Sequence, residues 1–239
     1  MITKSVPHPT SQSPAQTFET GQVVTIMGAH FVHDTYTAFV APLLPLIIAK
    51  LSISLTLAGT LTAILQLPAI LNPLIGYLAE RVSLRYFVIL SPAVTATLIS
   101  SLGFADNYFS LALLLLLTGL SVAAFHAPAP AMIAPVSGRQ IGKGMGLFMA
   151  GGELGRTLGP LVAVWGATLW GLEGIARLMV AGWLTSALLF VRLRHVAGHI
   201  QKPAAAHGFW QVVRPKLLSL YLPLALFLLA GSFLRLGLS

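Results

Sequence analysis

The chain has 239 residues, of which 56% are hydrophobic and only 8% charged, with a net charge of +8 and no cysteine. So few charges, against roughly 25% in soluble globular domains, exclude a soluble domain, and the missing thiols exclude disulfides, thiolate nucleophiles and Cys-ligated metal. Nucleic-acid binding is excluded as well, because the basic residues fall between apolar runs and form no stripe interleaved with aromatics.

Residues 1–21 are rich in Ser, Thr, Pro and Gln, lack the apolar core of a signal peptide, and read as a disordered cytoplasmic tail. A first span, about Val23 to Ala49, carries the polar group His30, His33 and Asp34. A second, about Leu55 to Ala79, contains Gln66, Pro68, Asn72 and Pro73 and ends in the charged turn Glu80–Arg85. The third runs from about Tyr86 to Phe104. The fourth, Tyr108 to about Val136, holds His126 and three closely spaced prolines, where a kink is expected because each proline removes a backbone donor.

The fifth span, Gly144 to Trp170, is long enough at about 1.5 Å per residue to cross a hydrocarbon layer of about 30 Å, yet it carries Glu153 and Arg156 near its middle. An isolated charge at that depth costs at least about 2.5–3.5 kcal/mol, so the pair, three residues apart, predicts mutual pairing or a polar lining. Gly151, Gly155 and Gly159 recur every four residues on a different side, predicting a smooth face for a neighbouring helix. Gly171–Gly174 closes this helix, and about Ile175 to Val191 forms a sixth span. Residues 192–216 read as a basic cytoplasmic loop and residues 217–239 as a seventh helix with a truncated end.

With the amino terminus inside, the inner segments hold Lys4, Arg81, Arg85, Arg139, Lys143, Arg192, Arg194, Lys202, Arg214 and Lys216, whereas the outer turns between the first six spans hold only Lys50. No strand alternation recurs at barrel spacing. The expected fold is therefore an all-α integral membrane protein: a six-helix bundle over residues 22–191 plus one further transmembrane helix.

His30, His33 and Asp34 stand at i, i+3 and i+4 and share one helix face. An imidazole titrates near neutral pH, so this group can load and release protons. Two other readings stay open: the imidazoles donate to backbone carbonyls while Asp34 pairs with Arg156, or His30 and His33 ligate a metal. A membrane metalloenzyme needs more ligands at depth than His126, Asp34 and Glu153 supply, so no metal and no cofactor are expected. No serine elbow and no phosphate loop occurs, and no enzymatic activity is expected. Trp165, Trp170 and Trp183 read as interfacial or lipid-facing residues.

The turn Gly76-Tyr77-Leu78-Ala79-Glu80-Arg81-Val82-Ser83-Leu84-Arg85 resembles the loop signature of the major facilitator superfamily. Gly76, Leu78, Ala79, Arg81 and Arg85 match it, while Glu80 replaces the usual Asp, Ser83 the second Gly and Leu84 one basic residue. On this resemblance Gly76 permits close helix approach and Glu80 acts as a charge latch that changes partners between states. Gly155-Arg156-Thr157-Leu158-Gly159-Pro160 is similar to the Gly-xxx-Gly-Pro signature of the fifth helix of drug/proton antiporters, although the later paired glycines are replaced by Ala163 and Val164. His30, Phe31 and Asp34, followed by a Pro-rich end, and Phe125-His126 before Pro128, resemble the fosmidomycin-resistance group of bacterial exporters. The arginine that many facilitators carry in the fourth helix has no counterpart; Leu115 or a neighbour occupies that region.

The resemblance covers about residues 22–195 and implies a carrier of twelve helices in two halves. The expected function is proton-coupled efflux of a small molecule across the bacterial inner membrane by alternating access, with protons and a small-molecule substrate as partners. His30, His33, Asp34, His126, Glu153 and Arg156 are expected to line the cavity. Six spans plus one predict a partial carrier that associates with a missing C-terminal half or another copy. A membrane scaffold that transports nothing, or a His-dependent membrane metalloenzyme, are the alternatives.

Overall fold

Within hydrocarbon every backbone N–H needs an internal partner, and apolar runs of this length close their hydrogen bonds as helices. In the computed structural model, which describes residues 17–79, 85–194 and 222–223, all regular structure among the described residues is helical. Residues 1–200 form one unit and residues 201–239 another, of which only the helical pair Leu222 and Pro223 is described. The expected tail through residue 16, Glu80 and Arg81 of the loop motif, most of the expected basic loop and most of the expected seventh span lie outside the described residues.

Among the described residues five stretches are long and apolar enough to cross a membrane: Thr20–Leu51, Leu55–Leu78, Arg85–Phe104, Tyr108–Ser137 and Ile141–Leu193. The first consists of α1 (Thr20–Thr37) and α2 (Val40–Leu51). Ser54 caps α3 (Leu55–Gln66), its hydroxyl accepting from the Leu57 N–H at 3.2 Å, and the proline-bearing 3₁₀ turn Leu67–Leu71 leads into α4 (Asn72–Ala79). After α5 (Arg85–Ser100), a reciprocal box between Asn107 and Ser110 starts α6 (Tyr108–His126). Ala127 and Pro128 then interrupt the fourth stretch before α7 (Ala129–Ser137), where the prolines predicted a kink.

The fifth stretch holds what the sequence divides into a fifth and a sixth span. It contains α8 (Ile141–Gly174) and α9 (Met179–Leu193), and the helix breaks at Gly171, whose φ of 72° and ψ of 177° suit a residue without a Cβ. Beyond that break α9 lies along α5 in the opposite direction: Trp183 Nε1 donates to Thr97 Oγ1 at 2.9 Å, and Ser186 Oγ accepts from the Ala93 N–H at 2.9 Å.

Two sets of contacts mark the ends of the bundle. At one, the Glu19 N–H donates to the Val136 carbonyl at 2.9 Å; at the other, Lys50 Nζ donates to the Gly103 carbonyl and pairs with Glu173 at 2.8 Å. Between them α8 runs parallel to α1, glycine by glycine. A Cβ at Gly151 would stand 2.6 Å from the Met27 carbonyl oxygen, one at Gly155 would collide with the Phe31 carbonyl, and one at Gly159 would stand 2.5 Å from the Thr35 carbonyl. Where lipid is as apolar as the side chains, such close backbone packing is what joins helices.

The buried apolar side chains gather in two clusters. One holds Phe39, Leu43, Leu61, Ile99, Leu111 and Leu172; the other holds Ile26, Ile89, Phe125, Met132, Phe148 and Leu189. On α1 the residues His30, His33 and Asp34 fall between the two, so the polar layer has an apolar core on either side.

A Cβ at Gly76 would meet nothing within 4 Å among the described residues, and Leu78 of the same motif is exposed. Arg85 stacks its guanidinium over the Tyr86 ring at 5.2 Å.

The glycine ladder sets a testable contrast. Gly155→Ala is expected to destabilise the chain in detergent by about 1–3 kcal/mol through overpacking. Gly142→Ala, where a Cβ meets nothing within 4 Å, should stabilise it slightly through helix propensity. Thermal unfolding followed by circular dichroism reads both, and equal shifts would contradict the ladder.

Candidate functional site

A carboxylate deep in a helix bundle persists only when its charge is offset. Asp34, at 2% exposure, is that carboxylate. Arg156 Nε lies 3.1 Å from its Oδ2, His30 Nε2 3.3 Å from Oδ2 and His126 Nε2 3.2 Å from Oδ1. Glu153 pairs with the same guanidinium, Nη2 to Oε1 3.3 Å, across one helical turn. Three elements therefore meet: α1 supplies His30 and Asp34, the last residue of α6 supplies His126, and α8 supplies Glu153 and Arg156.

The two histidines share a second feature. His30 Nδ1 stands 2.8 Å from the Phe148 carbonyl and His126 Nδ1 3.0 Å from the Val122 carbonyl. A carbonyl only accepts, so both Nδ1 atoms carry the proton and both Nε2 atoms point inward, 3.3 Å from one another. The His30 ring also stacks on Phe148 at 4.0 Å between centroids, and Gly152 makes that possible, since a Cβ there would lie 2.5 Å from the imidazole.

His33 occupies a different environment. It is fully buried, its ring packs on Phe125 at 4.3 Å and edge-on to His126 at 5.3 Å, and neither ring nitrogen has a hydrogen-bond partner among the described residues. Its shared helix face with His30 and Asp34 brings it beside the cluster without giving it a contact to the carboxylate. Burial decreases outward along the network: His126 is about one-third exposed, Arg156 about half, and Glu153 63%.

The structure thus brings five of the six sequence-derived residues into one bonded network and seats the sixth against it. Leu115 lies in an apolar cluster on α6, and the guanidinium of the network comes from α8. Sequence reasoning missed Phe148 and Val122, which act through main-chain carbonyls and leave no side-chain signal. It also missed the pairing of Lys50 with Glu173, although each is the charged residue of its turn. The groove of about 550 Å³ between α5 and α6 is lined by apolar residues such as Leu90, Val94, Leu117 and Leu120, and none of the network residues lines it.

Residues 26–238 match the family model described as Major Facilitator Superfamily. The chain is 24% identical over 194 residues to the Fosmidomycin resistance protein of Escherichia coli (strain K12), an alignment that covers 79% of this chain and 48% of that relative. It is 22% identical over 182 residues to the Uncharacterized MFS-type transporter YfnC of Bacillus subtilis (strain 168), covering 70% of this chain and 44% of the relative. The chain spans about half the length of the curated relatives it matches.

Removing the guanidinium leaves Asp34 buried beside two imidazoles alone. Arg156→Ala is therefore expected to lower stability by about 1.5–3 kcal/mol, with Arg156→Lys recovering only part because an ammonium lacks the planar fork. Glu153→Gln, at the exposed end, should cost less than about 1 kcal/mol. Denaturant titration in detergent ranks the three, and a Glu153 effect as large as that of Arg156→Ala would contradict the described geometry.

Proposed function

We propose that this chain, which belongs to the Major Facilitator Superfamily, forms one wall of a carrier cavity through which a small molecule leaves the cell in exchange for protons. The observation that carries the reading is the network itself: a buried carboxylate, a half-exposed guanidinium and an exposed carboxylate in series from the interior to the open face of α8. Such a series supplies two alternative partners for one cation, which is what a two-state carrier needs.

In the proposed cycle Arg156 is shared between Asp34 and Glu153. A proton taken up by Glu153 removes one of its anions, the guanidinium moves fully onto Asp34, and one opening of the cavity is favoured. Substrate binding favours the other. His30 and His126 flank the Asp34 carboxylate with their Nε2 atoms, and His33 with Phe125 packs the wall behind them.

The topology is read as six crossings, because Gly171 breaks the last stretch and α9 returns along α5. The excess of Lys and Arg in alternate turns supports an amino terminus in the cytoplasm. Glu153 and Arg156 remain substantially exposed, and the second stretch is largely uncovered, with Leu55 at 77% and Ile70 at 74% exposure. Both features fit a cavity wall completed by a second helical half, supplied by a complementary segment or by another copy.

The name of the Escherichia coli relative makes fosmidomycin the first probe. Proteoliposomes holding the assembled carrier are expected to export it when a pH gradient is imposed, with Asp34→Asn and Glu153→Gln each abolishing gradient-driven export while inserting normally. Export that persists in both variants would remove this mechanism. A carrier without export in any form would favour a scaffold, and transport by the isolated monomer would contradict the need for a second half.

A further inference from the structure

We propose that His30, Asp34 and His126 form a binding site for a divalent transition-metal ion. Two imidazole Nε2 atoms and a carboxylate oxygen lie within 4.8 Å of one another. Because both Nδ1 protons are committed to the Phe148 and Val122 carbonyls, a neutral imidazole at either position has no proton to offer there. Three acceptors facing each other repel unless a cation stands between them.

The spacing selects the cation. Metal bonds of about 2.0–2.1 Å in a tetrahedron place neighbouring ligand atoms about 3.3–3.4 Å apart. The measured separations are 3.3 Å between the Nε2 atoms, 3.3 Å from His30 Nε2 to Asp34 Oδ2 and 3.2 Å from His126 Nε2 to Asp34 Oδ1. A turn of the carboxylate gives the ion one oxygen, and Oδ1, buried and without a hydrogen bond, is the one left for it. Imidazole with carboxylate suits Zn²⁺, Co²⁺ and Ni²⁺.

The outer shell has the form such sites take. Each imidazole donates its other N–H to a backbone carbonyl, which fixes ring orientation, and the carboxylate is held through Oδ2 by Arg156. Charge fits as well, since Asp34 and Glu153 together outweigh Arg156 around the ion. His126 is about one-third exposed and offers the entry path and the side on which a fourth ligand, water or substrate, would stand. His33 contributes no atom to the set, so the pairing of His30 with His33 considered from sequence gives way to His30 with His126. This inference stands on the cluster alone and not on the transport reading, so either can fail without the other.

The test uses the full chain in detergent, purified without a metal column, stripped with EDTA and titrated with Co²⁺ while the visible ligand-field bands are recorded. His8, His195, His199 and His207 are first replaced by glutamine, so that the cluster and His33 hold all remaining imidazoles. The expected result is saturation at one Co²⁺ per chain with bands of tetrahedral intensity, displaced by one equivalent of Zn²⁺. His30→Gln and His126→Gln, each verified as folded by its helical circular dichroism and elution volume, should weaken binding at least tenfold. Should either variant not fold, zinc X-ray absorption on the parent replaces it and should show two imidazole nitrogens with an oxygen. Binding far below one equivalent, binding unchanged in the folded variants, or a zinc shell without paired imidazoles would overturn the proposal.

Discussion

The structure depends on one constraint: Asp34 is a carboxylate with almost no access to solvent, and the surrounding helices must satisfy it. Its partners come from elements far apart in the chain, so the ion pairs fix how α1, α6 and α8 sit against one another. An unpaired charge at depth costs several kcal/mol, while a charge-assisted hydrogen bond returns about 1.5–3 kcal/mol, so the Arg156 guanidinium is the donor that offsets most of the burial.

Close packing makes the convergence possible. Gly151, Gly155 and Gly159 bring the α8 backbone onto α1, which carries Arg156 within reach of Asp34 and leaves Glu153 toward the open side. Gly152 gives the His30 ring a place against α8, and Phe148 both stacks on that ring and accepts the hydrogen bond of its Nδ1–H through the main chain. Apolar clusters above and below keep the polar layer from spreading along the bundle. The same small residues that join the helices thus set the geometry of the charges.

Hydropathy and helical spacing made much of this legible in the sequence. The apolar stretches, the proline break after His126 and the pairing of Glu153 with Arg156 follow from local composition or from i, i+3 geometry, where distance along the chain fixes distance in space. The approach of His126 to His30, 96 residues apart, could not be derived that way, because it requires the helices to be placed first. The carbonyls of Phe148 and Val122 were invisible for a different reason: any residue type supplies a backbone oxygen. His33 shows the limit of face-sharing, since a common face with Asp34 did not decide what its ring touches.

The most direct measurement of this account is a double-mutant cycle between Asp34 and Arg156 on unfolding free energy in detergent, using Asp34→Asn, Arg156→Gln and the pair. Residues in contact couple by about 0.5–3 kcal/mol, and the account expects a coupling of about 1 kcal/mol or more between these two. Additivity within about 0.3 kcal/mol would mean that the carboxylate and the guanidinium do not meet, and the convergence of α1, α6 and α8 on one site would fall with it.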